Sequence, residues 1–191
     1  MEIFQIDGNS VGKAVEVLKA GGVVVSPTDT VYGFLADMQS PQAIEKIFQI
    51  KERDSSKPLG IFVKDLDMAK DVAVISSTQE EYLKEVWPGK VTAVLDQKGE
   101  LPKELGVENT IGVRVPDYPL LIQIIERLGN PVVQTSANIA GDKPLGDAEE
   151  IKEVFGDREY APDILLDAGA LPASEPSTVI DITGNEKKIL R

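Results

Sequence analysis

The stretch Gly22-Val23-Val24-Val25-Ser26-Pro27-Thr28-Asp29-Thr30-Val31-Tyr32-Gly33 joins a short apolar run to a polar turn. The run, residues 22–26, predicts a buried strand because it is β-branched and bounded by turn residues. The turn brings two hydroxyls and a carboxylate to the end of this strand, where ligand sites of α/β proteins gather. The alternative is an Asx-type turn, in which Asp29 only accepts hydrogen bonds from nearby backbone N–H groups.

Helix and strand patterns alternate on both sides of this stretch. Apolar residues at helical spacing predict helices over 10–20, which Gly21-Gly22 ends, and 41–50, which Pro41 opens. The remaining patterns predict helices near 78–87, 119–128 and 148–155, strands over 59–63, 91–95, 111–115, 132–135, 164–167 and 178–182, and a long loop over 159–176 around one of those strands. Some neighbouring strands lack a helix between them. We therefore expect an α/β fold with a twisted mixed sheet, parallel and antiparallel, and flanking helices.

The composition indicates a single globular domain. A chain of 191 residues with 42% hydrophobic residues fits one domain, 1–191. No apolar run approaches the roughly 18 residues of a membrane span, and residues 1–7 lack the features of a signal peptide. We therefore expect a cytoplasmic protein with no membrane contact. The net charge of −12 disfavours tight, non-specific binding of nucleic acid, although a basic cleft would still accept small anions.

The chain contains no histidine and no cysteine. Disulfides, thiolate nucleophiles, histidine triads and Cys/His zinc sites are therefore excluded. Catalysis must use carboxylates, lysine, tyrosine, hydroxyls, bound Mg²⁺, or positioning and charge stabilisation. Phosphoryl and nucleotidyl transfer suit that last mode, because the protein performs little covalent chemistry in them. Neither GxxxxGK[ST] nor a GxGxxG following a strand occurs, so a nucleotide site would be of another design.

Two further sites place basic residues near predicted strands. In the charged segment 51–59, an extended backbone would put Lys51 and Arg53 on one face, where they could hold a phosphate or carboxylate. The alternative is a solvated charged loop. Arg114 interrupts an otherwise apolar strand and must find an anion there, either a ligand or the partner in a structural salt bridge.

Small polar side chains accompany two other strands. The predicted strand at 132–135 leads into Ser136-Ala137-Asn138, where Ser136 and Asn138 could face one ligand or simply form a turn or helix cap. Ser177 and Thr178 precede the last apolar strand, where a plain strand start is the alternative.

These segments, in this order, resemble the YrdC/TsaC family of threonylcarbamoyl-AMP synthases in its short, single-domain form. The resemblance rests on motifs that span nearly the whole chain: 26–33, Lys51-x-Arg53 with Lys57-Pro58-Leu59, Trp87-Pro88-Gly89 with Thr92, 113–116, 136–138, 176–181 and 189–191. It implies a YrdC-like fold with a large concave cavity. It also implies that L-threonine, bicarbonate and ATP, with Mg²⁺, give L-threonylcarbamoyl-AMP and pyrophosphate, and that a transferase complex then modifies adenosine 37 of tRNA.

The resemblance also implies roles for individual residues. The family's polar tetrad, which we take as catalytic, corresponds to Lys51, Arg53, Ser136 and Asn138. The residues matching the threonine pocket are Thr30, Phe62, Arg114, Gln134 and Ser177, and those matching the ATP site are Arg53, Lys57, Thr110, Ser136, Pro144 and Arg191. No residue is assigned to a metal.

Gly33 is followed by Phe34-Leu35-Ala36, where many family members have Leu-Gly, which leaves the lip of the threonine pocket undefined. The motifs do not separate a synthase from a YrdC-like paralogue that makes another carbamoyl-adenylate, which is one alternative. A non-catalytic RNA-binding module is a second. The chain ends at Arg191, so we expect no additional C-terminal domain.

Overall fold

The computed structural model describes residues 1–55, 57–184 and 186–191. Within these ranges, twelve strands form one sheet. They are β1 (Glu2–Gln5), β2 (Val24–Ser26), β3 (Gly33–Asp37), β4 (Gly60–Phe62), β5 (Ala73–Val74), β6 (Val91–Gln97), β7 (Gly106–Val107), β8 (Thr110–Arg114), β9 (Val132–Ser136), β10 (Ile164–Asp167), β11 (Thr178–Asp181) and β12 (Lys188–Ile189).

The helices begin and end on residues suited to those positions. Ser40 caps the second helix by accepting a hydrogen bond from the backbone N–H of Ala43, and Ser76 and Gln79 form a capping box on the fourth. Gly129, at φ +84°, follows the fifth in the left-handed conformation that glycine adopts without strain. The helices are α1 (Ser10–Lys19), α2 (Pro41–Lys51), α3 (Leu66–Val72), α4 (Ser77–Val86), α5 (Pro119–Leu128) and α6 (Ala148–Phe155), with a 3₁₀ turn at Lys103–Leu105.

The sheet is mixed, which confirms the predicted fold class. Its strands lie in the order β1-β10-β2-β3-β9-β4-β8-β6-β11-β12, while β5 pairs with β6 and β7 pairs with β8. The pairs β1/β10, β10/β2, β4/β8 and β6/β11 are parallel, and the other pairs are antiparallel. Because distant parts of the chain alternate in this order, polar turns far apart in sequence end close together.

The buried apolar residues form one hydrophobic cluster. Helix α1 packs against α5 and against strands β2, β3 and β10, and helix α2 packs against β3. The rings of Phe34 and Phe155 meet edge to face, with centroids 5.2 Å apart. A single domain over 1–191 stays a prediction. None of the helices in the described ranges combines the length and apolarity that crossing a bilayer requires.

Several elements lack a clear signal in the sequence. All five residues of β3 are buried, so the alternation of apolar and polar residues that indicates a half-buried strand is absent. Helix α3 has only seven residues, β1 is a largely exposed edge strand, and β5, β7 and β12 have two residues each. These elements depend on pairing with neighbours rather than on a local pattern.

Candidate functional site

A cavity of about 330 Å³ opens where the polar turns converge on the sheet. Its wall combines the turn between β2 and β3 with parts of β4, β6, β8 and β9 and the C-terminal residues. Its lining includes nine of the thirteen predicted site residues: Thr30, Arg53, Thr110, Arg114, Gln134, Ser136, Pro144, Ser177 and Arg191. The other four, Lys51, Lys57, Phe62 and Asn138, do not line it. A volume in this range is typical of small-molecule sites.

The turn after β2 is organised by Thr28 rather than by Asp29. The Thr28 hydroxyl oxygen accepts hydrogen bonds from the backbone N–H groups of Thr30 and Val31, at 3.0 and 3.2 Å, and lies 3.0 Å from the hydroxyl of Thr30. It also donates to the carbonyl of Val31. The alternative in which Asp29 closes a local Asx-type turn is therefore wrong, and the Asp29 carboxylate is left for partners elsewhere.

Those partners are Arg114 and Asp117. Arg114 Nη2 lies 2.6 Å from Asp29 Oδ2, and both side chains are buried. The backbone N–H of Asp117 donates to the same oxygen at 3.2 Å. Asp29 Oδ1 is buried and has no hydrogen-bond partner among the described residues. The structural salt bridge considered for Arg114 is thus present.

Two other contacts hold the Arg114 guanidinium in place. Its Nε donates to the carbonyl of Gly89 at 2.8 Å, and its Cζ lies 5.5 Å from the centre of the Phe62 ring. Phe62 is 1% exposed and supports Arg114 from beneath, so it does not form the predicted wall of the pocket. Burial lowers the pKa of Arg114, and the charge of Asp29 opposes that shift.

The far end of the chain contributes a second hydroxyl pair. Ser177 lies directly before β11, and its hydroxyl lies 3.1 Å from that of Thr92 in the parallel neighbour β6. Arg191 Nη2 donates to the Ser177 carbonyl at 3.3 Å. Thr28, one of the two hydroxyls expected at the end of the first strand, lines the cavity. Thr92 also lines it although no site role was predicted for it, and its place in a quoted motif was the available signal.

Lys51 is not part of an extended segment. It is the last residue of α2, and Glu52 follows it in a left-handed conformation at φ 51°. The expectation that Lys51 and Arg53 project from one face of an extended chain is therefore wrong. Lys51 is 1% exposed, and its ammonium donates to the carbonyls of Ser136 and Asn138, at 2.6 and 2.8 Å, and to Asn138 Oδ1 at 3.0 Å.

The Lys51 ammonium belongs to a closed hydrogen-bond network. The Ser136 hydroxyl donates to Asn138 Oδ1 at 2.6 Å, and Asn138 Nδ2 donates to the carbonyls of Ile139 and Asp142. Asn138 is thus a buried turn-forming residue, in agreement with the turn alternative, while Ser136 reaches the cavity. Burial, and then the charge of Arg53, lowers the pKa of Lys51 to about 7.

Arg53 presents its charge to the cavity, whereas Lys57 does not. The Arg53 guanidinium donates to the carbonyls of Lys57 and Pro58, at 3.3 and 3.1 Å, and burial lowers its pKa. Lys57 itself is exposed. The alternative for segment 51–59 was a solvated charged loop. It is correct for Lys57, which is exposed, and wrong for Lys51, which is buried.

The character of the cavity lining suits an anion better than a resident metal. In the part of the chain that the structure describes, no group of three acidic residues could hold a metal ion. The residues found lining the cavity include three arginines and no Asp or Glu. The wall also includes apolar side chains, among them Leu59, Val94, Leu105, Val107 and Val179. Such a site can hold an anion at one part of its wall and a flat apolar group at another.

The chain resembles known proteins over almost its full length. The family model described as "Telomere recombination", Sua5_yciO_yrdC, matches residues 16–191, which include every residue found lining the cavity. A putative threonylcarbamoyl-AMP synthase of Mycobacterium tuberculosis (strain CDC 1551 / Oshkosh) is 33% identical over 180 residues, 93% of this chain and 81% of the relative. P. abyssi Sua5 complexed with L-threonine has a TM-score of 0.92 at 29% identity, covering 100% of this chain and 57% of that longer chain. E. coli YciO has a TM-score of 0.90 at 28% identity, covering 100% and 95%.

Proposed function

Because the chain belongs to the Sua5/YciO/YrdC family, as its resemblance to YrdC/TsaC proteins predicts, we propose that it is a threonylcarbamoyl-AMP synthase. In this reaction, L-threonine, bicarbonate and ATP give L-threonylcarbamoyl-AMP, pyrophosphate and water. The observation that carries the proposal is a single cavity lined by two kinds of arginine. Arg114, near the hydroxyl pairs, is fixed by an ion pair, whereas Arg53 donates to backbone carbonyls. We further propose a cytoplasmic location and a downstream transferase complex that uses the product on tRNA.

Threonine would occupy the end of the cavity near Arg114. The guanidinium would bind the carboxylate, and the hydroxyls of Thr30 and Ser177 lie on the same lining to accept or donate hydrogen bonds to the threonine hydroxyl. Gln134 would complete this end. Because Phe62, Gly89 and Asp29 already hold the guanidinium, binding would require little reorganisation.

ATP would occupy the end of the cavity near Arg53. Ser136, Thr110, Pro144 and Arg191 share the lining with Arg53, and the apolar side chains of the wall would contact the adenine base. Lys57, which is exposed and was not found in the lining, has no assigned contact to ATP in this proposal. Since no acidic residue was found in the lining, Mg²⁺ would enter with the nucleotide, bound by its phosphate oxygens.

The chemistry then needs no protein nucleophile. Bicarbonate takes up the proton that leaves the threonine ammonium and loses water to give CO₂. The neutral amine then adds to CO₂ and releases a proton to solvent, which gives the carbamate. A carbamate oxygen attacks the α-phosphorus of ATP, and the bond from that phosphorus to the bridging oxygen of pyrophosphate breaks. Arg53 would stabilise the negative charge that develops on the α-phosphate and the leaving group. Mg²⁺, when bound with ATP, would neutralise part of the same charge.

The decisive experiment measures pyrophosphate release from ATP with and without threonine and bicarbonate. We expect turnover only when all three are present. Arg53→Ala should lower kcat by about 100-fold, because it removes a charge contact to the transition state. Arg158→Ala is the matched control, since Arg158 pairs with Glu52 at the surface and was not found in the cavity lining. Pyrophosphate release that ignores threonine would contradict the proposal.

A paralogue with another acyl acceptor remains the second candidate. The observation that favours it is the match to E. coli YciO, which covers 95% of that chain at a TM-score of 0.90. The same assay with other amino acids in place of threonine separates the two candidates. Turnover with serine or another small amino acid, but not with threonine, would favour the paralogue.

A further inference from the structure

Among the described residues, three arginines line the cavity, and the immediate partners of two of them, Arg53 and Arg114, differ in charge. Arg114 forms an ion pair with the buried Asp29 carboxylate at 2.6 Å. Arg53 donates instead to two backbone carbonyls, which carry no net charge. The charge of Arg114 is therefore balanced by an adjacent carboxylate, whereas, over the described part of the chain, the charge of Arg53 is not. Arg191, the third arginine, donates to the Ser177 carbonyl.

This difference matters because the two substrates of the proposed reaction differ in the same way. Threonine is a zwitterion with no net charge, whereas the phosphates of ATP carry several negative charges. A cavity with two equally positive ends would attract the phosphate chain to either end. We propose that Asp29 is a specificity-determining residue: by neutralising Arg114, it reserves that end for a zwitterion and leaves polyphosphate to Arg53.

The position of Asp29 supports this role. It is not among the residues found lining the cavity, so it acts through its charge on Arg114 rather than by touching the ligand. Only Asp29 Oδ2 is engaged, by Arg114 and by the Asp117 N–H, while Oδ1 accepts no hydrogen bond within the described ranges. A second anion placed at Arg114 would lie close to the Asp29 carboxylate and would be repelled by its charge. The inference rests on the proposed function, because it assigns the two substrates to the two ends.

The test uses Asp29→Asn, which removes the charge while keeping the shape. Two ligands are compared by titration calorimetry: L-threonine, and 3-hydroxybutyrate, which is threonine without its α-amine and carries a net charge of −1. The wild-type protein should bind threonine and discriminate against 3-hydroxybutyrate. In Asp29→Asn, the ratio of the two dissociation constants should fall by about tenfold, because the unit charge that repels the anion is gone. An unchanged ratio would overturn the proposal.

Asp163→Asn is the matched control. The Asp163 carboxylate likewise pairs with a cation, the partly exposed Lys46, and accepts a backbone N–H, that of Val23, but it was not found in the cavity lining. This variant should leave the ratio unchanged. If the ratio falls as much as in Asp29→Asn, loss of any carboxylate charge would explain the change, and the specific role of Asp29 would be wrong.

A measurement on the wild-type protein covers the case in which Asp29→Asn does not fold. Tripolyphosphate, at concentrations that displace ATP, should change the dissociation constant of threonine by no more than about twofold from its value without tripolyphosphate. Displacement of threonine by tripolyphosphate would overturn the inference. Failure of the proposed function gives a different result. In that case, threonine would not stimulate pyrophosphate release by the wild-type protein, whatever the outcome with tripolyphosphate.

Discussion

The buried ammonium of Lys51 has an acceptor for each of its three hydrogen atoms. The carbonyls of Ser136 and Asn138 and the side-chain oxygen of Asn138 lie within 3.0 Å of it. A neutral amine has only two hydrogen atoms to donate, so this arrangement favours the protonated form even though burial lowers the pKa to about 7. At the scale of single residues, Lys51 therefore positions the turn that carries Ser136 to the cavity.

Lys51→Met tests this positioning role. The substitution keeps an apolar stem but leaves the three acceptors without their donor. We expect the free energy of unfolding to fall by about 1–3 kcal/mol, the penalty for buried polar groups that lose a partner. Urea unfolding, followed by circular dichroism, measures it. Lys19→Met, at the exposed end of α1, should change stability by no more than about 0.5 kcal/mol. Equal stability of the two variants would contradict the role of Lys51.

At the scale of secondary-structure elements, strand register decides which side chains meet. In the parallel pair β4/β8, Phe62 lies opposite Arg114, which brings the ring under the guanidinium. In the antiparallel pair β4/β9, Gly60 lies opposite Gln134, and a Cβ on Gly60 would come within 3.2 Å of the Gln134 amide nitrogen. This part of the cavity lining therefore depends on residues that the strands align rather than on any single loop.

Asp167, the last residue of β10, connects this strand to β1 and α6. Asp167 accepts hydrogen bonds from Gln5 of β1, from Lys152 of α6 and from the backbone N–H of Gly169. Burial raises the pKa of Asp167, but these three donors outweigh burial and hold the pKa below its ordinary value of 3.8. A carboxylate with a lowered pKa contributes stability above the unfolded value, and this contribution is lost as the pH falls through the folded value.

Asp167→Asn should therefore weaken the acid dependence of stability. We expect the wild-type protein to lose more unfolding free energy than the variant as the pH falls from about 5 to below 4. Thermal or urea unfolding over this pH range measures the difference. Asp157→Asn, at an exposed carboxylate, is the control and should follow the wild-type curve. Parallel curves for wild type and Asp167→Asn would show that Asp167 does not carry the effect.

At the scale of the whole molecule, positive charge is concentrated against an acidic background. The net charge is −12, yet the residues found lining the cavity include Arg53, Arg114 and Arg191 and no Asp or Glu. Asp29 balances the charge of Arg114, but Arg53 and Arg191 leave the cleft positive, and a positive cleft in an acidic surface concentrates the field inside it. Small anions are therefore expected to bind where an extended polyanion would be repelled by the surrounding surface.

This charge distribution predicts weak binding of tRNA. At about 150 mM salt, the protein should show no saturable tRNA binding at micromolar concentrations, because the acidic surface opposes the phosphate backbone. Fluorescence anisotropy with labelled tRNA measures this, and binding of ATP in the same buffer is the positive control. Salt-sensitive tRNA binding without ATP chemistry would instead support the RNA-binding alternative.

The elements predicted from local patterns are largely those with a strong periodic signal. Helices α5 and α6 and strand β10 have the predicted bounds, since apolar spacing and terminal residues mark their ends. Strand β3 was missed because it is buried along its whole length and pairs with β2 and β9 on its two sides. Pairing between segments a hundred residues apart leaves no local pattern.

For the site, the sequence by itself determined which chemistry is available. Without histidine and cysteine, catalysis rests on charge and positioning, and the polar residues after apolar runs indicate where ligands gather. Only the tertiary structure decided how those residues are used: Asp29 pairs with Arg114, 85 positions away, and Lys51 turns inward to bind the Ser136–Asn138 turn. The physical reason is that periodicity reports the face of a local element, whereas ion pairs and buried donors are set by the order of strands in the sheet.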